Sequence, residues 1–372
     1  MPAPDIDYSR NIHKYSKLVA RNKWLVKYLP SWWPGVKNKP IIISEGDSWF
    51  DYPAKSLTDV LGVLLRYAIG LQNFGMDSNT NVIDVVSRDK KLDALFLRLE
   101  RSGDHAQELS AKQPDKKNGV WEDKFPSNTL YSALQNRTVA KHLDAILLSA
   151  GGNDIVHAVR HGVINEYSQD WQDSHDKELL DLASQTVAEH YLQALLYRDE
   201  FAPKAKVLCH SYAYAVQVNR GTTTEFDFSD ASKLIGLLLK FLKLQWIKSP
   251  LKAIGINVDD LGKHTIQGDS NLHETFDEKG WPKNPEHPKG EGVHPERALF
   301  IKSMLDSLYD AVQLLPTVYK AKTGKTLYGF EYIDVRNEVQ EPQYWSDFIH
   351  LNVAGYKVVG KKFVDKIINM LD

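Results

Sequence analysis

PIIISEGDSW, at residues 40–49, is the stretch that most clearly indicates a fold class for this chain. Residues 40–45 form a short apolar run rich in β-branched side chains, which predicts a strand buried on both faces of a parallel sheet. Gly46 ends this run, and Ser48 follows two residues later. Ser48 is therefore predicted to lie at the carboxyl end of a strand, where open parallel sheets bind their ligands.

Short apolar runs of this kind recur along the chain and alternate with helical patterns. This alternation predicts an α/β fold whose parallel sheet has helices on both faces. The predicted strands are 40–45, 81–86, 144–150, 206–212 and 332–335. The predicted helices are 56–69, 91–101, 128–142, 176–197, 294–315 and 353–371.

Two segments do not follow the alternation. Residues 1–38 are basic and aromatic, and they are predicted to be an N-terminal extension that packs on a main domain of residues 39–372. Residues 215–293 interrupt the rhythm and are predicted to be an insertion or cap on the sheet. Within them, 232–248 is apolar with regularly placed lysines, which suits a cap helix or a transient contact with a membrane surface.

The composition is that of an ordinary soluble protein. Of 372 residues, 42% are apolar and 25% charged, and the formal net charge of −2 gives no global reason to expect a nucleic-acid partner. Cys209 is the single cysteine, so neither an internal disulfide nor a cysteine-rich zinc site is possible. The first 15 residues lack the apolar run of a secretory signal, and no 18-residue apolar stretch occurs, which predicts a cytoplasmic protein. Export by a route without such a signal stays open.

Two further motifs carry polar side chains suited to catalysis. GGND at 151–154 follows the predicted strand 144–150, so Asn153 is expected at the same sheet edge as Ser48. DFIH at 347–350 lies between the last predicted strand and the closing helix, and it supplies Asp347 and His350. The topology thus allows all four side chains to meet.

Together these residue types suit acyl transfer. A serine hydroxyl attacks only when a base takes its proton, and His350 is the predicted base because imidazole titrates near neutral pH. Asp347 is close enough in sequence to orient the imidazole. The Ser48 backbone N–H and the Asn153 side-chain amide are the predicted oxyanion donors. Gly152 lets the backbone approach a substrate closely.

Each of these residues has a simpler interpretation when taken alone. Ser48 is then a loop serine, and Asp347 a helix cap or a surface charge. A second Gly-Asp-Ser triplet at 268–270 follows no predicted strand and is interpreted as chance. His157 and His161 have the i, i+4 spacing of a metal pair, but no acidic residue completes an H-E-x-x-H pattern, so a solvated helix face is favoured. No metal or cofactor is predicted.

With these motifs in order, the chain resembles the SGNH, or GDSL-type, serine hydrolases. GDSW corresponds to that family's first block, GGND to the third, and Asp347, His350 and Asn352 to the D-x-x-H-x-N of the fifth. The resemblance covers roughly 40–370. It implies a three-layer α/β/α sandwich with a flavodoxin-like parallel sheet of about five strands. It also implies metal-independent ester hydrolysis through an acyl-enzyme on Ser48.

The resemblance fails at the second block, which in the family supplies a glycine N–H as a third oxyanion donor. VVSRDKKL at 85–92, the stretch expected to carry it, has no glycine. The backbone N–H of Arg88 is the predicted substitute, and Gly103 is judged too distant.

Four residues are predicted to support the site or line its pocket. Asp47 and Asp154 flank the catalytic residues and are expected to fix their loops. His210 and Tyr212 follow the fourth predicted strand and either line the pocket or belong to the edge of the core.

The predicted function is a carboxylesterase, lipase or lysophospholipase-like hydrolase whose partner is a small-molecule or lipid ester. The alternatives are an acyltransferase or a carbohydrate O-deacetylase with the same site, or a non-catalytic binding protein with this fold. The oligomeric state is left open.

Overall fold

A parallel sheet organises the chain. The structure, a computed structural model, describes residues 8–9, 11–33, 36–50, 81–100, 104–112, 129–215, 272–283, 293–345 and 349–371. Within these ranges the six strands are β1 (Tyr8–Ser9), β2 (Ile41–Gly46), β3 (Leu95–Arg98), β4 (Ala145–Ser149), β5 (Lys206–His210) and β6 (Phe330–Ile333). Their order is β1-β3-β2-β4-β5-β6, and every neighbouring pair is parallel. Without the two-residue β1, this is the flavodoxin-like order.

Helices cover both faces of the sheet. They are α1 (Ile12–Tyr28), α2 (Val82–Ser87), α3 (Gln107–Ser110), α4 (Leu130–Gln135), α5 (Arg137–His142), α6 (Gly152–Ala158), α7 (Lys177–Phe201), α8 (Leu272–Glu278), α9 (Pro295–Gln313), α10 (Leu315–Thr323) and α11 (Val353–Leu371). One layer contains α2 and α11, and the other contains α1, α4, α5, α7 and α9. The three-layer α/β/α class implied by the resemblance is therefore confirmed. Of the helices in the described ranges, none combines the length and apolarity needed to cross a bilayer.

Most predicted elements are confirmed within a few residues. Strands 40–45, 144–150, 206–212 and 332–335 correspond to β2, β4, β5 and β6. The helix predicted at 128–142 is two helices, because the Asn136 side chain accepts from the backbone N–H groups of Thr138 and Val139 and starts a new helix. The helix predicted at 56–69 and the run 232–248 lie outside the described residues.

The prediction was wrong between residues 81 and 101, where helix and strand are exchanged. Residues 82–87 are helix α2, because the Asn81 side chain caps it by accepting from Asp84 N at 2.7 Å. The helix also packs closely on α11, since a Cβ on Gly360 would lie 2.6 Å from Val85. These tertiary contacts outweigh the strand propensity of the valines.

The second strand is instead β3, at 95–98. Its charged residue, Arg98, is buried because it is ion-paired with Asp84 at 2.7 Å and with Glu100. Glu100 is itself buried and accepts from Ser44 Oγ at 2.7 Å. A buried cluster of opposite charges thus joins β2, β3 and α2. Because these charges are paired, a charged residue such as Arg98 can lie in a buried strand.

The N-terminal segment joins the sheet directly. Strand β1 pairs with β3, and α1 packs beside α5. Tyr15 of α1 is fully buried, with its hydroxyl 2.9 Å from Ile42 O and 2.8 Å from Leu95 O. The boundary between an extension at 1–38 and a main domain at 39–372, like the cap at 215–293, stays a prediction.

Candidate active site

Ser48 lies in a tight turn at the carboxyl end of β2. The backbone of Gly46 has φ +155, and an added Cβ there would collide with Ser149 O of β4. Glycine is therefore required where the two strands meet. Asp47 N donates to Ser149 O at 2.9 Å, and Phe50 N donates back to Asp47 O at 3.0 Å. These bonds fix the turn against the sheet, with Ser48 just beyond the carboxyl end of β2.

Ser48 and His350 are in direct contact. His350 Nε2 lies 2.9 Å from Ser48 Oγ, although 302 positions separate the two residues. Both side chains are buried, with 7% and 8% of their surface exposed. This is the geometry of a serine whose proton can pass to an imidazole. Asp347, the predicted orienting carboxylate, lies outside the described residues.

The loop that carries His350 is braced on both sides. Trp345 and Leu351 form an antiparallel bridge around it. Asn352, the last residue of the D-x-x-H-x-N pattern, accepts from Ala354 N at 2.9 Å and from Gly355 N at 3.1 Å and so caps α11. His350 is thus held between a bridge and a helix start.

Trp49 joins the serine turn to the histidine loop, which the sequence did not reveal. Its indole Nε1 donates to Ile349 O at 3.1 Å, one residue before His350. Trp49 is buried, and its ring makes an edge contact with Tyr356 of α11 at 6.0 Å between centroids. The only available signal was an indole at the position where the GDSL motif has leucine.

Asp47 is a buried carboxylate beneath the serine. It accepts hydrogen bonds from Trp49 N at 3.1 Å, from Ser149 Oγ at 3.0 Å and from the Tyr212 hydroxyl. Burial raises the pKa of Asp47 to about 6, although these hydrogen bonds oppose the shift. Asp47 therefore connects the turn to β4 and to the segment after β5, as a loop-fixing residue would.

Asn153 lies in the first turn of α6, directly after β4. Its Nδ2 donates to Asp104 O at 2.9 Å, in the segment after β3. The next residue, Asp154, accepts from Ala106 N at 2.8 Å, and its other oxygen lies 3.4 Å from His105 Nδ1. Asp154 thus ties the α6 start to the β3 loop, and Asn153 is held in a defined orientation.

Tyr212 fills the space between Asp47 and the GGND turn. A Cβ on Gly152 would lie 3.1 Å from its ring, so glycine allows the tyrosine to approach the backbone. The ring also makes an edge contact with Trp49 at 5.2 Å between centroids. Burial raises the pKa of Tyr212 well above its usual value, so its hydroxyl is a donor to Asp47.

His210 belongs to the core rather than to an open pocket. It is 3% exposed and stacks on Trp49 at 5.6 Å and on Phe50 at 5.5 Å between centroids. Burial lowers the pKa of His210 to about 4, and its Nδ1 lies 2.6 Å from Ser211 O. A neutral imidazole that donates to this carbonyl packs behind the serine turn. Of the two interpretations open from the sequence, the structure favours the core edge.

The role predicted for Arg88 is corrected. It rested on a second strand at 81–86, whereas β3 is the second strand of the main sheet and Arg88 precedes it at the end of α2. The backbone N–H of Arg88 donates to Val86 O within that turn. The loop that leaves the carboxyl end of β3 contains Gly103, which was judged too distant and lies outside the described residues.

The paired histidines form no metal site in the part of the chain that is described. The rings of His157 and His161 lie 4.2 Å apart between centroids, and both are exposed. No group of three or more potential ligands is placed to bind a metal ion there.

Fold and site together define a three-layer α/β/α protein with a serine–histidine pair at the carboxyl edge of its sheet. No protein-family model matches the chain, and no curated protein does.

Solved structures with some similarity include two lipases and an esterase. The lipase Lip_vut3 from a goat rumen metagenome is 11% identical with a TM-score of 0.41, and the match covers 87% of this chain and 94% of that one. An extracellular lipase from Streptomyces rimosus is 11% identical with a TM-score of 0.40, covering 90% and 100%. The acetyl xylan esterase Est2A from Butyrivibrio proteoclasticus is 11% identical with a TM-score of 0.39, covering 90% and 66%.

Proposed function

We propose that this protein is a serine ester hydrolase of the SGNH type, with Ser48 as nucleophile and His350 as general base. The contact of 2.9 Å between His350 Nε2 and Ser48 Oγ is the observation that carries the proposal. Two residues so far apart in sequence are buried side by side at the edge where parallel sheets bind their ligands. Both also stand in motifs that resemble the first and fifth blocks of that family.

In the proposed reaction, Ser48 Oγ attacks the ester carbonyl carbon while His350 Nε2 takes its proton. The tetrahedral intermediate collapses as His350 returns this proton to the leaving alcohol, and an acyl group stays on Ser48. A water molecule then attacks the acyl carbon while His350 takes its proton. As the bond to Ser48 Oγ breaks, His350 gives that proton to Oγ, which releases the acid and restores the serine. Asp347 is proposed to accept from the other ring nitrogen and so to set the tautomer.

The oxyanion is proposed to be held by the Ser48 backbone N–H and by Asn153. A side-chain amide has two N–H donors. One of those of Asn153 is directed to Asp104 O, which fixes the amide plane and leaves the second for the substrate.

Hydrolysis of p-nitrophenyl esters from acetate to palmitate tests the proposal. The wild type is expected to hydrolyse part of this series, and Ser48→Ala is expected to be inactive. Ser270→Ala is the matched control, because it removes the hydroxyl of the second Gly-Asp-Ser triplet and is expected to leave activity unchanged. The dependence on chain length then indicates the acyl group for which the site is shaped.

Other outcomes would contradict the proposal. Activity that survives in Ser48→Ala, or disappears in Ser270→Ala, would place the nucleophile elsewhere. Wild type that is inactive on every ester, and that no active-site phosphonate labels, would favour a non-catalytic binding protein. Transfer of the acyl group to an added alcohol in preference to water would identify an acyltransferase.

A further inference from the structure

The N-terminal segment concentrates positive charge and exposed aromatic rings. Between residues 8 and 40 there are eight Lys or Arg residues and no Asp or Glu, in a chain whose formal net charge is −2. Four large aromatic side chains of this segment are exposed: Trp24 (56%), Tyr28 (58%), Trp32 (76%) and Trp33 (50%). Exposed tryptophans in such a group indicate a surface that meets a partner.

Exposed cationic and aromatic side chains share one face of α1. Lys14, Lys17, Arg21, Trp24 and Tyr28 recur at intervals of three and four residues and are exposed, whereas Tyr15 and Val19 on the opposite side are buried. The face is therefore cationic over its first half and aromatic over its last turn. We call this face, together with Lys27, Trp32 and Trp33, the α1 surface.

The aromatic end contains two pairs of neighbouring rings. The rings of Trp24 and Tyr28 lie 5.5 Å apart, and those of Trp32 and Trp33 lie 5.9 Å apart. Lys27 Nζ lies 4.9 Å from the centre of the Tyr28 ring. Cations beside rings that are apolar at one end and polar at the other are typical of side chains at a membrane–water interface.

Among the described residues, the helix beside α1 carries further positive charge. Helix α5, which packs on α1, adds Lys141 and Arg137. Asp93 is paired with Lys37 and Lys39, which lie outside the α1 surface. Asp144 is directed inward, since it accepts from Ile41 N at 2.8 Å.

We propose that the α1 surface binds an anionic phospholipid bilayer. Each Lys or Arg near such a surface contributes on the order of 1 kcal/mol, and aromatic side chains add interfacial burial. This combination favours lipid over nucleic acid, because the large aromatic side chains are grouped at one end of the α1 surface. The apolar run 232–248, which was considered for membrane contact, lies outside the described residues and is not needed.

The α1 surface lies at the end of the sheet opposite Ser48. Asn22 Nδ2 donates to Lys37 O at 2.8 Å, in the segment that enters the amino end of β2, whereas Ser48 follows the carboxyl end of β2. Six residues at about 3.3 Å each separate the two ends by about 20 Å. Bound in this way, and given the proposed function, the enzyme would direct its active site to the aqueous side and take esters that are not part of the same bilayer.

Vesicle flotation with the full chain tests the proposal. Phosphatidylcholine vesicles with and without about one-third phosphatidylglycerol are compared, using wild type and Ser48→Ala. Both proteins are expected to float only with the anionic vesicles. The triple variant Lys14→Gln, Lys17→Gln, Lys27→Gln is expected to bind about 100-fold more weakly. The triple variant Trp24→Ala, Trp32→Ala, Trp33→Ala is expected to lose about tenfold or more.

Matched controls remove the same chemistry elsewhere. Lys320→Gln, Lys322→Gln, Lys325→Gln takes away three exposed charges near the end of α10, and Tyr328→Ala removes a side chain that is 77% exposed. Both are expected to float like wild type. Circular dichroism melting is the check that every variant is folded.

Several results would overturn the proposal: equal flotation with neutral vesicles, unchanged flotation of both α1 variants, or equal losses in the α10 controls. Tighter binding to a DNA or RNA duplex than to vesicles would assign the surface to nucleic acid. A dimer that the tryptophan variant abolishes would assign it to a second copy of the chain. Because Ser48→Ala is expected to float normally, a failure of the proposed esterase activity is distinguishable from a failure of membrane binding.

Discussion

Replacing the buried carboxylate beneath the nucleophile should change how stability depends on pH. The unfolded-state pKa of Asp47 is near 3.8, and burial raises it to about 6 in the folded protein. Between these values the unfolded chain has lost its proton while the folded chain still holds it, so rising pH favours unfolding. A difference of about two pH units corresponds to about 3 kcal/mol. The wild type should therefore lose about this much stability between about pH 4 and pH 6, through Asp47 alone.

Asp47→Asn removes this titration and keeps the shape of the side chain. Urea unfolding of wild type and variant, followed by tryptophan fluorescence at several pH values, gives the difference in free energy of unfolding. Relative to wild type, the unfolding free energy of the variant should rise by about 3 kcal/mol between about pH 4 and pH 7. Any loss of hydrogen bonding by the amide adds an offset that does not depend on pH in this window. A difference that is constant over the window, or that moves against the variant, would refute the reasoning.

Asp93→Asn is the matched control, with the opposite sign. Burial alone would raise the pKa of Asp93, but hydrogen bonds and charge interactions with Lys39 and Lys37 outweigh it, so the pKa is lowered. Its contribution to stability is present above the unfolded-state pKa and is lost as the pH falls. Relative to wild type, the unfolding free energy of Asp93→Asn should therefore rise as the pH falls, whereas that of Asp47→Asn rises as the pH rises.

Three further substitutions test the site and its support. Asn153→Ala should lower kcat by about 100–1000-fold, because it removes an oxyanion donor, and should change the unfolding free energy little. Steady-state kinetics and urea unfolding measure the two quantities, and an unchanged kcat would exclude Asn153 from that role. Trp49→Phe should lower kcat a few-fold, because its indole hydrogen bond aligns the serine and histidine loops. The control Trp281→Phe loses a similar bond to a backbone carbonyl and should keep its kcat. Equal losses of kcat in the two variants would show that Trp49 has no positioning role. Arg98→Met should cost about 3–5 kcal/mol in urea unfolding because Glu100 is left buried without its partner, and a loss below about 1 kcal/mol would contradict the buried cluster.

The local features of the site could be predicted from the sequence. The isoleucine run before Gly46 indicates a buried strand, and a strand end places Ser48 at the ligand-binding edge. The same logic places Asn153 after β4. The contact between Ser48 and His350 follows from motif order, because no other residues of the right type stand in the right blocks.

Tertiary contacts decided what the sequence could not. The valines of α2 favour a strand by propensity, but close packing against Gly360 of α11, together with the local Asn81 cap, makes that segment helical. Because of this exchange, the predicted second-block donor, Arg88, precedes β3 instead of following it. The bond from Trp49 to Ile349 joins residues 300 positions apart and has no sequence signal short of the fold.

Covalent labelling with a p-nitrophenyl phosphonate identifies the nucleophile whatever the natural ester is. Intact-mass and peptide mass spectrometry should show one phosphonyl group per chain, on Ser48, with labelling slowed by at least about 100-fold in His350→Ala at neutral pH. Labelling of another residue, or labelling of Ser48 at the same rate without His350, would contradict the proposed site.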